Sequence, residues 1–157
     1  MNSSEEETEL TGPADPGYIP PENWETIVRS VPIVSVDLVV LTGNGVVLMK
    51  RTNEPAKGEW FVPGGRVRKG ERLREAVYRV ADEELGVDVR IEQSLGGYEH
   101  LYDTSEIGDG GGKHYIPHGF IVQTDTNSFT LDTQHDAIDV FAEPPASLHE
   151  YVTAYLR

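Results

Sequence analysis

Residues 60–87 read WFVPGGRVRKGERLREAVYRVADEELGV, and this stretch decides the fold of the chain. It begins as a strand, turns at Pro63-Gly64-Gly65 and continues through a charged loop into a helix. Gly86 follows the last apolar residue of that helix and is expected to end it as a C-cap. The apolar positions of the helix are Leu73, Val77, Ala81 and Leu85. Their spacing predicts a helix that packs one face on a core.

The other face of this helix has a spacing that suits phosphate or metal binding. Glu75, Arg79 and Glu83 follow one another at intervals of four residues, so their side chains lie on one face. A salt-bridged surface helix after a glycine turn is the simpler interpretation. The joint spacing of glycine, acids and arginine over residues 65–87 favours a functional motif.

The pattern resembles the conserved box of the Nudix hydrolases, in which a glycine, an Arg-Glu pair, two further glutamates and a final glycine occur at fixed intervals. Val80 departs from the box, because most of the family has a glutamate there that binds metal or orients the attacking water. The resemblance implies an α/β class with a Nudix-type α/β/α sandwich and a mixed sheet. The residues that match the box are Gly65, Glu71, Arg79, Glu83, Glu84, Gly86 and Val87.

Composition limits the classes of function. The chain has 157 residues, no cysteine and a net charge of -14. This length suits one domain, and the lack of cysteine excludes disulfides and thiolate metal sites. A strongly acidic surface repels phosphate backbones, which argues against nucleic acid as a partner. No apolar run is long enough to span a membrane and no signal peptide is evident, so we expect a cytoplasmic protein without membrane partners.

The acid excess is also typical of proteins from a high-salt cytoplasm, where carboxylates retain water and salt screens their repulsion. An ordinary acidic protein is the alternative. The first 21 residues are acidic, rich in proline and expected to be disordered, which leaves a single Nudix domain over residues 22–157.

The rest of the chain predicts strands and helices around the box. EIGDGGGK, at residues 106–113, has four glycines and no evident anchor, so it is expected to be a mobile loop. Helices are expected at residues 22–30 and 146–156. Strands are expected at residues 31–41, 46–51, 88–95, 114–124 and 138–142.

Two residues outside the box each allow two interpretations. Trp24 is either a core anchor or a platform on which a nucleobase stacks. Asp37 lies inside an apolar strand, so its carboxylate is either paired structurally or faces the site.

Within the Nudix family the chain resembles the GDP-mannose mannosyl hydrolases over nearly its whole length after the tail. The shared segments include KRTNEPAKGEWFVPGGRV at residues 50–67 and Gln134-His135-Asp136, and that branch also has an aliphatic residue at position 80. In that branch water attacks the anomeric carbon of the sugar and the nucleoside diphosphate leaves. The resemblance implies a GDP-sugar of the GDP-mannose type as substrate, Mg²⁺ or Mn²⁺ as cofactor, and a homodimer.

The resemblance also implies a metal site and a general base. The Gly64 carbonyl, Glu84 and Gln134 would hold the ion, since oxygen ligands suit a hard cation. Glu83 is a further carboxylate that could bind a second metal ion. His135 would remove a proton from water that attacks the sugar from the far side, with inversion at the anomeric carbon.

The substrate-binding residues implied by the resemblance lie on several elements. Arg51 and Arg66 would contact the phosphates, and Tyr115 would help to stabilise the leaving group. Asp37 and His100 would line the sugar end. Arg79 would either touch the nucleotide or pair with the helix carboxylates Glu75 and Glu83.

Two other functions stay open at this point. One is conventional diphosphate hydrolysis of a compound such as ADP-ribose, with Glu83 and Glu84 as metal ligands despite Val80. The other is a catalytically silent Nudix domain that binds a nucleotide sugar as a sensor. The products formed from a nucleotide sugar distinguish these two functions from release of the free sugar.

Overall fold

A computed structural model describes residues 17–107, 111–126, 129 and 135–156, with residues 135 and 136 described by their backbone alone. The helices are α1 (Pro21–Ser30), α2 (Leu73–Leu85) and α3 (Glu150–Tyr155). The strands are β1 (Ile33–Thr42), β2 (Gly45–Arg51), β3 (Trp60–Phe61), β4 (Gly64–Arg66), β5 (Arg90–Gly97), β6 (His100–Tyr102), β7 (Lys113–Gln123) and β8 (His135–Phe141).

The described strands form one mixed sheet of eight strands around β1. β1 pairs in parallel with β7 and antiparallel with β2 and β4. β2 also pairs antiparallel with β3 and β8, and β7 pairs antiparallel with β5 and β6. The short strand β4 therefore brings the glycines of the box turn directly beside β1.

Alternating side chains on β1 explain why both faces of the sheet are covered. Val36, Leu38 and Val40 pack into the cluster that contains the apolar face of α2. Val39 points the other way and packs into the cluster that contains Val152 of α3. The predicted α/β/α sandwich with a mixed sheet is confirmed.

The box helix α2 begins and ends as its sequence predicts. The backbone N–H of Arg72 donates a hydrogen bond to the Glu75 side chain at 2.7 Å, which satisfies an amide at the start of the helix. Gly86 ends the helix in the left-handed conformation, with φ 70° and ψ 30°. Ala76 and Val80 join the predicted apolar stripe in the core.

Two boundaries near the end of the chain differ from the prediction. β8 begins at His135 rather than at residue 138. The last helix begins at Glu150 rather than at residue 146, because His149 acts as its N-cap. The His149 Nδ1 atom accepts a hydrogen bond from the Tyr151 backbone at 3.1 Å. Among the described helices, none is both long and apolar enough to cross a lipid bilayer.

The packed structure also begins earlier than the predicted boundary at residue 22. Residues 1–16 of the expected tail lie outside the described residues. Gly17 is buried, and its carbonyl accepts a hydrogen bond from Arg66 at 2.8 Å. Ile19 packs against the cluster of apolar residues around α1.

The expectation that residues 106–113 have no anchor is wrong at both ends of that segment, whose residues 108–110 lie outside the described part. The Lys113 side chain is fully buried, and its Nζ donates to both carboxylate oxygens of Glu106 at 2.8 Å. Glu106 also accepts a hydrogen bond from Trp24 Nε1 at 2.8 Å. The buried ion pair thus joins the two ends of this segment, and the hydrogen bond from Trp24 attaches the segment to α1.

Trp24 is a core residue, as the first of its two interpretations predicts. It is 3% exposed and packs with Val28, Ile33 and Tyr115. The Lys113 ammonium lies 5.2 Å from its ring centroid. These contacts contradict the nucleobase platform, because the ring is already covered.

Replacing Lys113 by methionine should lower the free energy of unfolding by about 3–5 kcal/mol, because Glu106 would keep a buried charge without its cation. A Lys113→Met/Glu106→Gln variant should be less destabilised than Lys113→Met alone, because glutamine is neutral and can still accept from Trp24. Urea unfolding at pH 7 measures both effects. The exposed Lys57→Met variant is the control and should change little. A double variant less stable than the single one would contradict this account.

Candidate active site

A cleft lies beside β4 and the C-terminal end of α2. It is lined by Ser35, Asp37, Arg51, Pro55, Phe61, Val62, Gly64, Gly65, Glu84, His100, Tyr102 and Tyr115. Half of these are predicted site residues, and they lie on six different strands and helices. The structure therefore brings together Asp37, Arg51, Gly64, Glu84, His100 and Tyr115.

Asp37 of β1 lines the cleft. On β1 it is opposite Gly64 of β4 and Gly119 of β7. A side chain at position 64 would collide with the Asp37 carboxylate, so the box glycine is required by this close approach. Tyr155 Oη donates a hydrogen bond to Asp37 Oδ2 at 2.7 Å. Both interpretations of Asp37 thus apply, since the carboxylate is paired and also lines the cleft.

Burial is the main influence on the titration of this pair. It raises the pKa of Asp37 to about 6, although the hydrogen bond from Tyr155 acts in the opposite direction. Burial and the neighbouring Asp37 raise the pKa of Tyr155 well above its ordinary value. The Tyr155 hydroxyl therefore stays protonated at neutral pH and remains a hydrogen-bond donor to Asp37.

His100 lies beside Asp37 as a neutral imidazole. Burial, followed by the nearby His149, lowers the pKa of His100 to about 4. Its Nδ1 atom is 3.9 Å from Asp37 Oδ2, and its ring stacks on Tyr151 with 4.1 Å between centroids. A carboxylate and a neutral imidazole together can accept and donate hydrogen bonds to a hydroxyl-bearing ligand.

Arg79 does not line the cleft, and its guanidinium instead bonds to other residues of the box segment. Its Nε and Nη2 atoms donate to the two oxygens of Glu71 at 2.7 and 2.9 Å. Nη2 also donates to the Arg66 carbonyl at 2.8 Å, and Nη1 donates to Glu83 at 2.9 Å. These contacts support the alternative in which Arg79 pairs with carboxylates. Glu75, the other predicted partner, caps α2 instead.

Of the four glutamates in the box segment, Glu84 is the one that lines the cleft. Glu83 pairs with Arg79 at 2.9 Å and with Arg68 at 3.4 Å, so these contacts do not support its predicted role as a metal ligand. Val80 lies one helical turn before Glu84 and is 1% exposed. A Cβ atom at Gly65 would be 3.0 Å from Val80 Cγ2. An apolar contact with the cleft glycine thus replaces the usual box carboxylate.

The oxygen donors of the cleft fit a hard divalent cation, because Gly64 and Glu84 line it together. Gln134, the third predicted ligand, lies outside the described residues. Within the described part of the chain, no three His, Cys, Asp or Glu side chains form a cluster that could hold a metal ion. An ion bound between these residues would need further oxygen ligands, such as those of a diphosphate.

Arg51 and His135 are neighbours in the sheet. Arg51 ends β2 and lines the cleft, and its Nε donates to the Pro55 carbonyl at 2.7 Å. The backbone of His135 on β8 is the strand partner of Arg51. The predicted general base therefore lies next to a cleft residue along the sheet, and its catalytic role stays a prediction.

The two remaining predicted substrate contacts differ from each other. Arg66 pairs through its backbone with Ser35, but its guanidinium donates to the Gly17 carbonyl at 2.8 Å and lies 5.8 Å from the Trp24 centroid. The Arg66 side chain thus packs between β4 and the segment that contains Gly17 and Trp24. This position does not support a phosphate contact. Tyr115 lines the cleft, and Lys113 Nζ lies 5.1 Å from its ring centroid.

Sequence reasoning missed three tyrosines of the site. Tyr102 lines the cleft directly. Tyr151 and Tyr155 reach His100 and Asp37 from α3, on the last part of the chain. Their spacing of four residues puts both rings on one helix face, but nothing in the sequence indicated which part of the sheet that face covers.

Comparison with known proteins agrees with this geometry. Residues 31–154 match the family model for the NUDIX domain. The low-salt glycan biosynthesis protein Agl8 of Haloferax volcanii is 55% identical over 138 residues, which cover 88% of each chain. The ADP-ribose pyrophosphatase of Methanocaldococcus jannaschii is 42% identical over 67 residues, or 43% of this chain and 40% of that protein.

A solved structure shares the fold. The MutT Nudix hydrolase from Burkholderia pseudomallei aligns with a TM-score of 0.63 and 24% identity, covering 80% of this chain and 95% of that one. The chain belongs to the Nudix hydrolase family, as the box, the sandwich and the family model all indicate.

The Glu71–Arg79 pair should make stability depend on pH in the acid range. Burial alone would raise the pKa of Glu71, but its hydrogen bonds with Arg79 and the Arg68 backbone hold the pKa below the ordinary value of 4.5. The stability contributed by ionised Glu71 is therefore complete above pH 4.5 and is lost as the pH falls through the lowered value.

A Glu71→Gln variant should lose about 1–3 kcal/mol of unfolding free energy at pH 7, because a charge-assisted bond pair is broken. Its difference from the unsubstituted protein should shrink when urea unfolding is repeated below pH 4. The matched control is Glu92→Gln at an exposed strand position. An equal destabilisation by Glu71→Gln at both pH values would show that ionisation of Glu71 is not the cause.

Proposed function

We propose that the protein is a Mg²⁺-dependent hydrolase that releases free sugar from a nucleotide sugar of the GDP-mannose type. Water would attack the anomeric carbon, and the nucleoside diphosphate would leave. The observation that carries this proposal is Val80, which is buried against Gly65 where the box ordinarily has a glutamate. The relative Agl8, named for glycan biosynthesis, supports a nucleotide-sugar substrate.

The charge of the cleft explains why position 80 matters. Attack of water on phosphorus needs carboxylates that activate the water beside the metal. Here Glu84 lines the cleft, whereas Glu83 is held by Arg79 and Arg68. A cleft with fewer box carboxylates can still bind a cation that stabilises a departing diphosphate.

Asp37 and His100 would form the sugar end of the site. The Asp37 carboxylate can accept hydrogen bonds from sugar hydroxyls. The neutral His100 imidazole can donate a hydrogen bond to a hydroxyl or accept one from it. Tyr102 and Phe61 add ring surface to the same cleft, which suits the apolar face of a pyranose. Such contacts hold the anomeric carbon in a fixed position for attack.

Arg51 and Tyr115 would stabilise the leaving diphosphate by donating hydrogen bonds to its oxygens. The bond from Arg51 Nε to the Pro55 carbonyl fixes the direction of the guanidinium. His135 would accept the proton of the attacking water, since imidazole as a class ionises near neutral pH. Mg²⁺ or Mn²⁺, held by the Gly64 carbonyl, Glu84 and Gln134, would add positive charge beside the diphosphate.

The proposed enzyme is a homodimer in a high-salt cytoplasm. The resemblance to the GDP-mannose mannosyl hydrolases supports a homodimer. The excess of acidic over basic residues, 27 against 13, supports a protein that works in a high-salt cytoplasm.

Incubation with GDP-mannose, ADP-ribose and Mg²⁺ in ¹⁸O-labelled water should yield GDP and free mannose from the first compound. Mass spectrometry should find the label in mannose and none in GDP, because the bond to the anomeric carbon breaks. A nucleoside monophosphate with a labelled phosphate would instead support pyrophosphatase activity. Tight binding of GDP-mannose without turnover would support a sensor.

A His135→Ala variant should lose about 10²–10⁴-fold in turnover of the accepted nucleotide sugar, because a general base contributes that much to a rate. The KM should change little, since the imidazole acts on water and not on the sugar. His114, which does not line the cleft, gives the matched control variant His114→Ala. Full activity in His135→Ala would remove His135 from the mechanism.

A further inference from the structure

We propose that Tyr155 of α3 is a positioning residue that sets the orientation of the Asp37 carboxylate in the cleft. The inference deepens the proposed function and rests on it, because Asp37 acts there at the sugar end. Three independent features of the structure support this role: the hydrogen bond itself, the glycines beside it and the attachment of α3.

The hydrogen bond places one oxygen of the carboxylate. Tyr155 Oη donates to Asp37 Oδ2 at 2.7 Å, a length typical of a strong bond to a carboxylate. The Tyr155 side chain is held in turn, because the residue is 4% exposed and its ring packs edge-on against Tyr98 at 4.5 Å between centroids. A fixed donor therefore occupies Oδ2, which leaves Oδ1 on the side of Gly64.

Glycines on the neighbouring strands make room for this arrangement. Gly64, Asp37, Gly119 and Gly96 are strand partners in a row across β4, β1, β7 and β5. A Cβ atom on Gly119 would lie 2.9 Å from Tyr155 Cε1. The missing side chain at residue 119 thus lets the tyrosine ring lie on the sheet and reach the carboxylate.

A second tyrosine fixes α3 on the sheet one turn earlier. Tyr151 Oη accepts a hydrogen bond from the Leu101 backbone N–H at 3.0 Å and donates to the Leu101 carbonyl at 2.9 Å. α3 has six residues, too few to be a stable helix without such contacts. The two tyrosines hold it in place and bring Tyr155 Oη to 3.5 Å from His100 Nε2 as well.

Loss of the Tyr155 hydroxyl should affect the orientation of the sugar in the cleft more than its binding. Without its donor, the Asp37 carboxylate can turn about its side-chain bonds and pair with water. The sugar would still enter the cleft, but its anomeric carbon would be held less well for attack. This difference separates a positioning role from simple packing.

The first test compares Tyr155→Phe with the unsubstituted protein on the nucleotide sugar that it accepts. We expect kcat to fall about 10–100-fold, the effect of one charge-assisted hydrogen bond, and KM to change by less than about threefold. Gly119→Ala should lower kcat in the same way by displacing the ring. The control is Tyr78→Phe, whose hydroxyl lies 3.3 Å from Arg74 on an exposed part of α2. An unchanged kcat in Tyr155→Phe overturns the proposal.

The second test needs no substrate and uses a double-mutant cycle in urea unfolding. Tyr155→Phe should lower the unfolding midpoint of the otherwise unsubstituted protein and have a much smaller effect in an Asp37→Ala background. Equal effects in both backgrounds overturn the contact. Coupling in this cycle without turnover of any nucleotide sugar supports the contact and rejects the proposed function. Turnover of a nucleotide sugar, combined with equal effects of Tyr155→Phe in both backgrounds, supports the proposed function and rejects the contact.

Discussion

The charge pair between Arg79 and Glu71 is the interaction on which the cleft depends. Its two bonds join α2 to the loop that precedes it, and a third bond from the same guanidinium reaches the backbone of β4. Strand, loop and helix are thereby held as one unit. Because β4 pairs with β1, this unit places Gly64 beside Asp37 and brings Glu84 to the same cleft.

The positions of the charged side chains in this unit determine which of them a ligand in the cleft can contact. Arg79 and Arg68 hold Glu83 on one side of the helix, and Val80 fills the space beneath Gly65. Among the side chains that the structure describes, Glu84 and Asp37 are the carboxylates that line the cleft. Arg51, Tyr115 and the neutral His100 provide donors around them, an arrangement suited to a ligand with an anionic part and a hydroxyl-rich part.

Much of the fold could be predicted from local spacing in the sequence, and the resemblance to the mannosyl hydrolases pointed to half of the residues that line the cleft. The helix face, the Gly86 cap and the positions of Gly64 and Glu84 are fixed within one continuous segment. What could not be predicted depends on distant packing. Lys113 in a glycine-rich run gives no sign that it is buried against Glu106, and Arg66 gives no sign that it reaches Gly17. The contact from Tyr155 to Asp37 joins residues 118 positions apart.

The central claim is that this cleft directs water to carbon and not to phosphorus. The configuration of the sugar at the moment of its release tests that claim most directly. Proton NMR recorded during turnover of an α-linked GDP-sugar resolves the two anomers before they interconvert. The account predicts that the β anomer forms first, through inversion at the anomeric carbon. Release of the α anomer, or of a sugar phosphate, would contradict it.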